Sequence, residues 1–268
     1  MDAPLAGCRI VSTRPAAQAA SLHAALTALG AEVIAFPVIA IEATDPAPLA
    51  ALDLSRYALA FFVSANAVDQ ALAVRPRAHW PAALRVATVG PGSARALTEA
   101  GFDEVVAPAS GFDSEAVLAL PEFAANAVAG RRVLVLRGEG GRELLAETLE
   151  QRGAQVDQIG CYRRLPAPLD AASLVARFDA EGLDALIFTA SEGVRFFLTI
   201  LGQDGPRLLR DCTTLAPHPR IAACLREAGA RRVKLTGPGD AGLIEGLRAL
   251  LREAAPATPP GQKPGLIG

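Results

Sequence analysis

The sequence has little of what most catalytic sites are built from. Its 268 residues include three histidines, two tyrosines, one tryptophan and four cysteines. His23, His79 and His218 lack metal-ligand spacing. Cys8, Cys161, Cys212 and Cys224 form no CxxC pair, which argues against a zinc site or a disulfide framework and fits a reduced cytoplasm. There is no Walker A motif and no GxSxG elbow. No pair of carboxylates stands out: Glu139 and Glu143, four apart at an expected helix start, read as capping or dipole partners. The N-terminus lacks a long apolar core, and no apolar run reaches about 18 residues, so neither a signal peptide nor a membrane span is expected. A net charge of −2 gives no pull toward nucleic acid.

What is there is apolar and repetitive. Hydrophobic residues make up 51% of the chain, enough for two cores. RIVSTRPAAQAASLHAALTALGAEVIAFPVIAI (9–41) is echoed by RVLVLRGEGGRELLAETLEQRGAQVDQIGCYRR (132–164). Each copy of this segment, A, reads as a strand, a turn with an arginine, a helix stopped at a Gly-Ala pair, and a second strand. FFVSANAVDQAL (61–72) is echoed by ALIFTASEGVRFFL (185–198), and both run on into a further strand, turn and helix. These stretches open segment B. A last helix follows each, with Asp113 and Asp240 placed as N-caps. The order is A–B–A–B, repeating after about 125 residues.

Strands alternating with helices predict an α/β fold of two similar domains, each a parallel sheet flanked by helices. The residues alone leave open whether each A folds with the B after it or the B before it. The Pro- and Ala-rich stretches 42–57 and 165–182 are candidate crossovers between the domains, and the Pro/Gly-rich end is expected to be a disordered tail.

Ligands of open α/β sheets bind beyond the carboxyl ends of the strands. Six turns fall there: Thr13-Arg14-Pro15, Ser64-Ala65-Asn66, Gly90-Pro91-Gly92-Ser93, Arg137-Gly138-Glu139, Thr189-Ala190-Ser191 and Pro217-His218-Pro219-Arg220. Hydroxyls, guanidinium groups and glycine-flanked N–H groups suit carboxylates. Taken singly, each Ser or Thr reads equally well as a helix cap. Tyr162 ends the second strand of an A segment beside two arginines, either packing at the sheet edge or presenting a weak acid. Gly237-Pro238-Gly239-Asp240-Ala241-Gly242 matches GxGxxG, but no strand with an acidic residue follows, and the other copy, PASGFDSEAV, keeps only the helix start. A dinucleotide enzyme is therefore not expected. A two-domain binding protein for a polycarboxylate, without chemistry, is the main alternative to an enzyme.

In order along the chain, STRP (12–15), FFVSANAV (61–68), VGPGSARALTEAG (89–101), DSEAVL (113–118), RVLVLRGEGGRELLAETLEQRGAQV (132–156), CYRR (161–164), FTASEGVRFF (188–197) and HPRIAACLREAG (218–229) resemble the uroporphyrinogen-III synthases. The resemblance spans residues 8–253. It implies two domains joined by a two-stranded linker, 1–38 with 168–253 and 42–164, an active-site cleft between them, and a tail over 254–268. It implies closure of the linear tetrapyrrole hydroxymethylbilane, which carries eight carboxylates, to uroporphyrinogen III. The last pyrrole is inverted and water is lost, with no cofactor or metal, in heme biosynthesis. The enzyme is expected to be a cytoplasmic monomer, with transient contact to the preceding pathway enzyme, no nucleic acid and no membrane. Tyr162 matches the tyrosine proposed in the family to assist loss of the hydroxyl. Ser64 and Asn66 would form one wall of the cleft, Thr189 and Ser191 the other. N–H groups of Gly90–Ser93 and His218–Arg220 would hold carboxylates, alongside Thr13, Arg14, Arg137 and Gly138. Pro219 offers no N–H, which weakens that helix start, and Arg220 is placed to compensate.

Overall fold

The computed structural model describes residues 3–140 and 143–254; the expected tail beyond 254 lies outside them. The chain opens with β1 (Arg9–Ser12), α1 (Ala16–Ala28), β2 (Glu32–Ala35) and β3 (Ile39–Ala43). Next come α2 (Ala47–Ala50), β4 (Leu59–Phe62), α3 (Ala65–Val74), β5 (Arg85–Thr88), α4 (Pro91–Glu99), β6 (Val105–Val106), α5 (Ser114–Leu118) and α6 (Ala125–Val128). They are followed by β7 (Arg132–Gly138), α7 (Leu144–Gln151), β8 (Gln155–Pro166), α8 (Ala171–Glu181), β9 (Ala185–Ile187) and α9 (Ser191–Leu201). The last elements are α10 (Gly205–Asp211), β10 (Thr213–Ala216), α11 (Pro219–Glu227), β11 (Arg232–Leu235) and α12 (Gly239–Ala254). Contacts divide the chain into two units: unit 2 is Ile41–Arg164, and unit 1 holds the residues up to Ala40 and from Leu165 on.

The sheet of unit 1 runs β11-β10-β9-β1-β2, with every neighbouring pair parallel. That of unit 2 runs β3-β8-β7-β4-β5-β6, parallel from β8 to β6. Replacing β1 and β2 by β7 and β8, and β9, β10 and β11 by β4, β5 and β6, turns the first order into the second. The A of one copy therefore folds with the B of the other. β3 is the addition: Thr44 N–H donates to Cys161 C=O and Ala167 N–H to Val38 C=O, so β3 lies antiparallel to β8. These bonds give β8 partners beyond Tyr162, which explains why the strand continues to Pro166 instead of ending at the tyrosine.

The central strands face two cores, as buried parallel strands must. In β4, Ala60 and Phe62 meet α3 through Ala67, Val68 and Ala71, while Leu59 and Phe61 join the cluster of Leu145 and Leu149 in α7. In unit 1, Val11 packs with α9 and Ile10 with Leu22 and Leu26 of α1. The Gly-Ala stops work as expected: Gly30 and Gly153 take φ of 90° and 86°, the left-handed turn that releases a helix at little steric cost.

Asp113 caps α5 by accepting from Ala116 N–H at 2.9 Å. Asp240 does not cap α12. The helix starts one residue earlier, at Gly239, and the Asp240 carboxylate turns to Arg14 and Ser21 instead. Of the glycines of the GxGxxG match, Gly242 has a packing reason, since a Cβ there would run into the backbone of Gly237, and Gly239 takes a φ of 70°. Glu139 and Glu143 do not share a helix start, because α7 begins at Leu144.

At the amino-terminal edge of unit 2, Asp157 accepts from Tyr57 Oη at 2.7 Å and from Arg132. Burial alone would raise its carboxyl, but these bonds outweigh burial and hold it below the usual range. A depressed carboxylate stabilises the fold above its unfolded pKa, and that contribution is lost as pH falls through the folded one. Asp157→Asn should therefore flatten the acid limb of stability against pH, measured by urea unfolding at stepped pH. Leu134, fully buried in β7, shares a cluster with Trp80. Leu134→Ala should cost about 2–5 kcal/mol, read from the urea midpoint of Trp80 fluorescence.

Candidate active site

In each sheet two adjacent strands send their following helices to opposite faces. In unit 2 these are β4, followed by α3, and β7, followed by α7. In unit 1 they are β1, followed by α1, and β9, followed by α9. The carboxyl ends of such a pair flank the crevice in which open α/β sheets bind ligands.

At this point in unit 2 lie Ser64, Gly138 and Tyr162. The ladder between β7 and β8 pairs Arg137 with Gly160 and then Gly138 with Tyr162, so Cys161 is an extra residue in a β-bulge. Tyr162 is 2% exposed. A Cβ on Gly138 would stand 2.7 Å from two of its ring carbons, so only glycine admits the ring there. The phenol oxygen is 3.0 Å from Ser64 Oγ and accepts from Arg164 Nη2 at 3.3 Å. Ser64 also caps α3, its Oγ accepting from Ala67 N–H at 3.2 Å. The cap reading and the ligand reading of Ser64 thus hold for the same atom. Asn66 lies half-buried in the first turn of the same helix.

Several expected ligand residues are committed inside the protein. Thr13 is buried, and its hydroxyl donates to Ile187 C=O at 2.8 Å, tying β1 to β9. Arg14 is paired with Asp240 at 2.5 Å. Arg137 and Gly138 belong to β7 itself rather than to a turn. The Arg137 side chain is buried and bonded to Glu143 and Gln158, whose bonds hold the Glu143 carboxyl below its ordinary range. His218 caps α11, its Nδ1 accepting from Arg220 N–H at 3.1 Å, so that N–H is taken; the side chain of Arg220 is exposed.

Other helix starts have no side-chain cap. Gly90 precedes α4 and Ala190 precedes α9 with no side-chain hydrogen bond to the first turn. The first turn of α4, with Gly92 and a buried Ser93, carries no acidic residue; that of α9 carries Glu192. α4 is accordingly the better carboxylate site. Thr189 and Ser191 are half-buried at the unit 1 crevice. Arg164 was not singled out from the sequence. Its signal was its place two residues after Tyr162 in CYRR, where strand residues share a face.

Burial pushes the Cys161 thiol up to about 11 and that of Cys212 to about 12, so neither is a nucleophile at neutral pH. Among the described residues no group of three or more His, Cys, Asp or Glu could hold a metal ion, and no helix is long and apolar enough to cross a membrane.

The family model "Uroporphyrinogen-III synthase HemD" matches residues 20–245. The chain belongs to the uroporphyrinogen-III synthase family. It is 36% identical to the uroporphyrinogen-III synthase of Salmonella typhimurium over 248 residues, 90% of this chain and 99% of that one. The Escherichia coli uroporphyrinogen-III synthase is 31% identical over 247 residues, with the same coverage. In fold it is similar to a mutant uroporphyrinogen III synthase of Thermus thermophilus (TM-score 0.59, 21% identity, 92% of this chain and 100% of that one). It is also similar to the Helicobacter pylori uroporphyrinogen-III synthetase (TM-score 0.60, 18% identity, 91% and 99%).

Gly138→Ala should displace the Tyr162 ring and cost about 1–3 kcal/mol of stability. Urea unfolding measures the loss, and an unchanged midpoint would show that the ring has room.

Proposed function

We propose that the protein closes hydroxymethylbilane to uroporphyrinogen III, inverting the last pyrrole and releasing water, in porphyrin and heme biosynthesis. The observation that carries this reading is the buried Tyr162 phenol bonded to Ser64 at the unit 2 crevice, in a chain of this family. Loss of the hydroxyl needs a proton donor, and an azafulvene formed next to bulk water would be quenched. Electron-rich pyrroles supply the rest of the reactivity, so the protein's task is to hold the chain where the spiro route outruns simple closure.

The eight carboxylates of the substrate need donors rather than catalysts. The open first turn of α4, with the hydroxyls of Thr189 and Ser191 and the exposed Arg220 side chain, supplies them. Thr13, Arg14 and Arg137 support the crevices from behind. On this reading the enzyme works as a cytoplasmic monomer without a cofactor, and a transient contact with the enzyme that makes its substrate shortens the path.

Freshly made hydroxymethylbilane, incubated with the protein, should give isomer III after oxidation and chromatographic separation. Isomer I alone, at the spontaneous rate, would sink the proposal.

A further inference from the structure

Tyr162 is the chemically obvious acid, yet it is almost fully buried. The hydrogen bonds around it limit where its proton points. Arg164 is a donor only, so its bond uses a lone pair of the phenol oxygen and cannot receive the phenol proton. Among the described residues, its hydrogen-bonded neighbour that can accept that proton is Ser64 Oγ, at 3.0 Å; either oxygen can be the donor there, and Tyr162 is assigned as the donor. Ser64 Oγ already accepts from Ala67 N–H, and its second lone pair is then taken by Tyr162. With Tyr162 as the donor both lone pairs are used, and the Ser64 hydroxyl hydrogen turns away from the pair. Ser64 is half-buried, not sealed, and stands at the end of β4, beside the crevice.

We infer that Ser64 is the residue that hands the proton to the departing hydroxyl, and that Tyr162 acts through it, with Arg164 behind. This rests on the reaction proposed above. The C–O bond of the hydroxymethyl group breaks with its electron pair going to oxygen. That oxygen takes the Ser64 proton and leaves as water, while the pyrrole nitrogen lone pair forms the azafulvenium. Tyr162 refills Ser64, and the charge left on the phenol oxygen faces the Arg164 guanidinium. At the final ring closure the inverted pyrrole loses the proton of its free α-carbon, which returns along the same path. Atoms and protons then balance as substrate to product plus one water. Ser64 is the catalytic residue here; Tyr162 and Arg164 are positioning residues.

A double-mutant cycle separates this from direct action by Tyr162. Ser64→Ala and Tyr162→Phe should each lower kcat about tenfold with KM little changed, and the double variant should lose no more than either single one. Ser64→Thr keeps the hydroxyl and the cap and should restore kcat. Ser64→Gly keeps an acceptable helix start without the hydroxyl; it should be as slow as Ser64→Ala, which guards against a folding defect. Losses that multiply to about a hundredfold in the double variant, or wild-type kcat in Ser64→Gly, would overturn the relay. If the wild-type chain makes isomer III in either case, the proposed reaction stands and only the relay fails. If the wild-type chain makes only isomer I, both fail.

Discussion

The ring of Tyr162 lies against the backbone of Gly138 so closely that a methyl group would not fit between them. That contact organises the carboxyl edge of unit 2. It requires glycine at the end of β7, and the ladder register shifts at that residue, with Cys161 as the bulged residue. The phenol reaches across to Ser64, 98 residues away in sequence. Three strand ends, those of β4, β7 and the bulged part of β8, are thereby tied at one point. A buried phenol is expensive unless its oxygen is bonded. Here Ser64 and Arg164 meet that need, so the arrangement is held by the same bonds that give it chemical meaning.

Behind this contact stands a constraint of topology. A parallel sheet whose helices cover both faces must reverse its direction of winding once, and the reversal leaves a gap above two adjacent strands. Both units solve this in the same strand order, although one is contiguous and the other is assembled from the two ends of the chain. The duplication of short strand–turn–helix phrases is thus a duplication of crevices. The two crevices are not equivalent. In unit 2 a buried tyrosine and a serine meet. In unit 1 the corresponding strand ends are braced by Thr13 on Ile187, and by Arg14 on Asp240.

Local signals in the sequence were readable because their causes are local. Apolar runs with a helix-period stretch after them, and glycines where a helix must turn left-handed, place most strands and helix ends. The failures share a different cause. Asp240 reads as a cap from its neighbours, but its partners, Arg14 and Ser21, lie more than two hundred residues away. Arg137 reads as a turn cation, yet Gln158 on the next strand and Glu143 hold it inside. Glu143 reads as a helix partner of Glu139 for the same reason: its actual partners, Arg137 and Gln158, come from the sheet. The extension of β8 beyond Tyr162 depends on β3, which no pattern within 155–166 announces. Burial and long-range pairing decide which polar residues remain available, and neither is written in a turn.

The scarcity of catalytic side chains is consistent with the chemistry. Two closures compete for one reactive intermediate, and their ratio depends only on a difference of barriers. A factor of ten in that ratio needs about 1.4 kcal/mol, the scale of one or two hydrogen bonds. A protein that must create a strong nucleophile needs perturbed groups, whereas one that selects between routes needs geometry. The thiols of Cys161 and Cys212 are raised out of reach by burial. The buried guanidinium of Arg137 braces the frame. Among the described residues, the crevice of unit 2 holds a hydroxyl pair fixed by a bulge, a glycine and a helix cap, with Arg164 beside it. Such an assembly has few moving parts. On the proposed reading it delivers one proton at one place while the shape of the substrate, held by its own carboxylates, decides which carbon attacks.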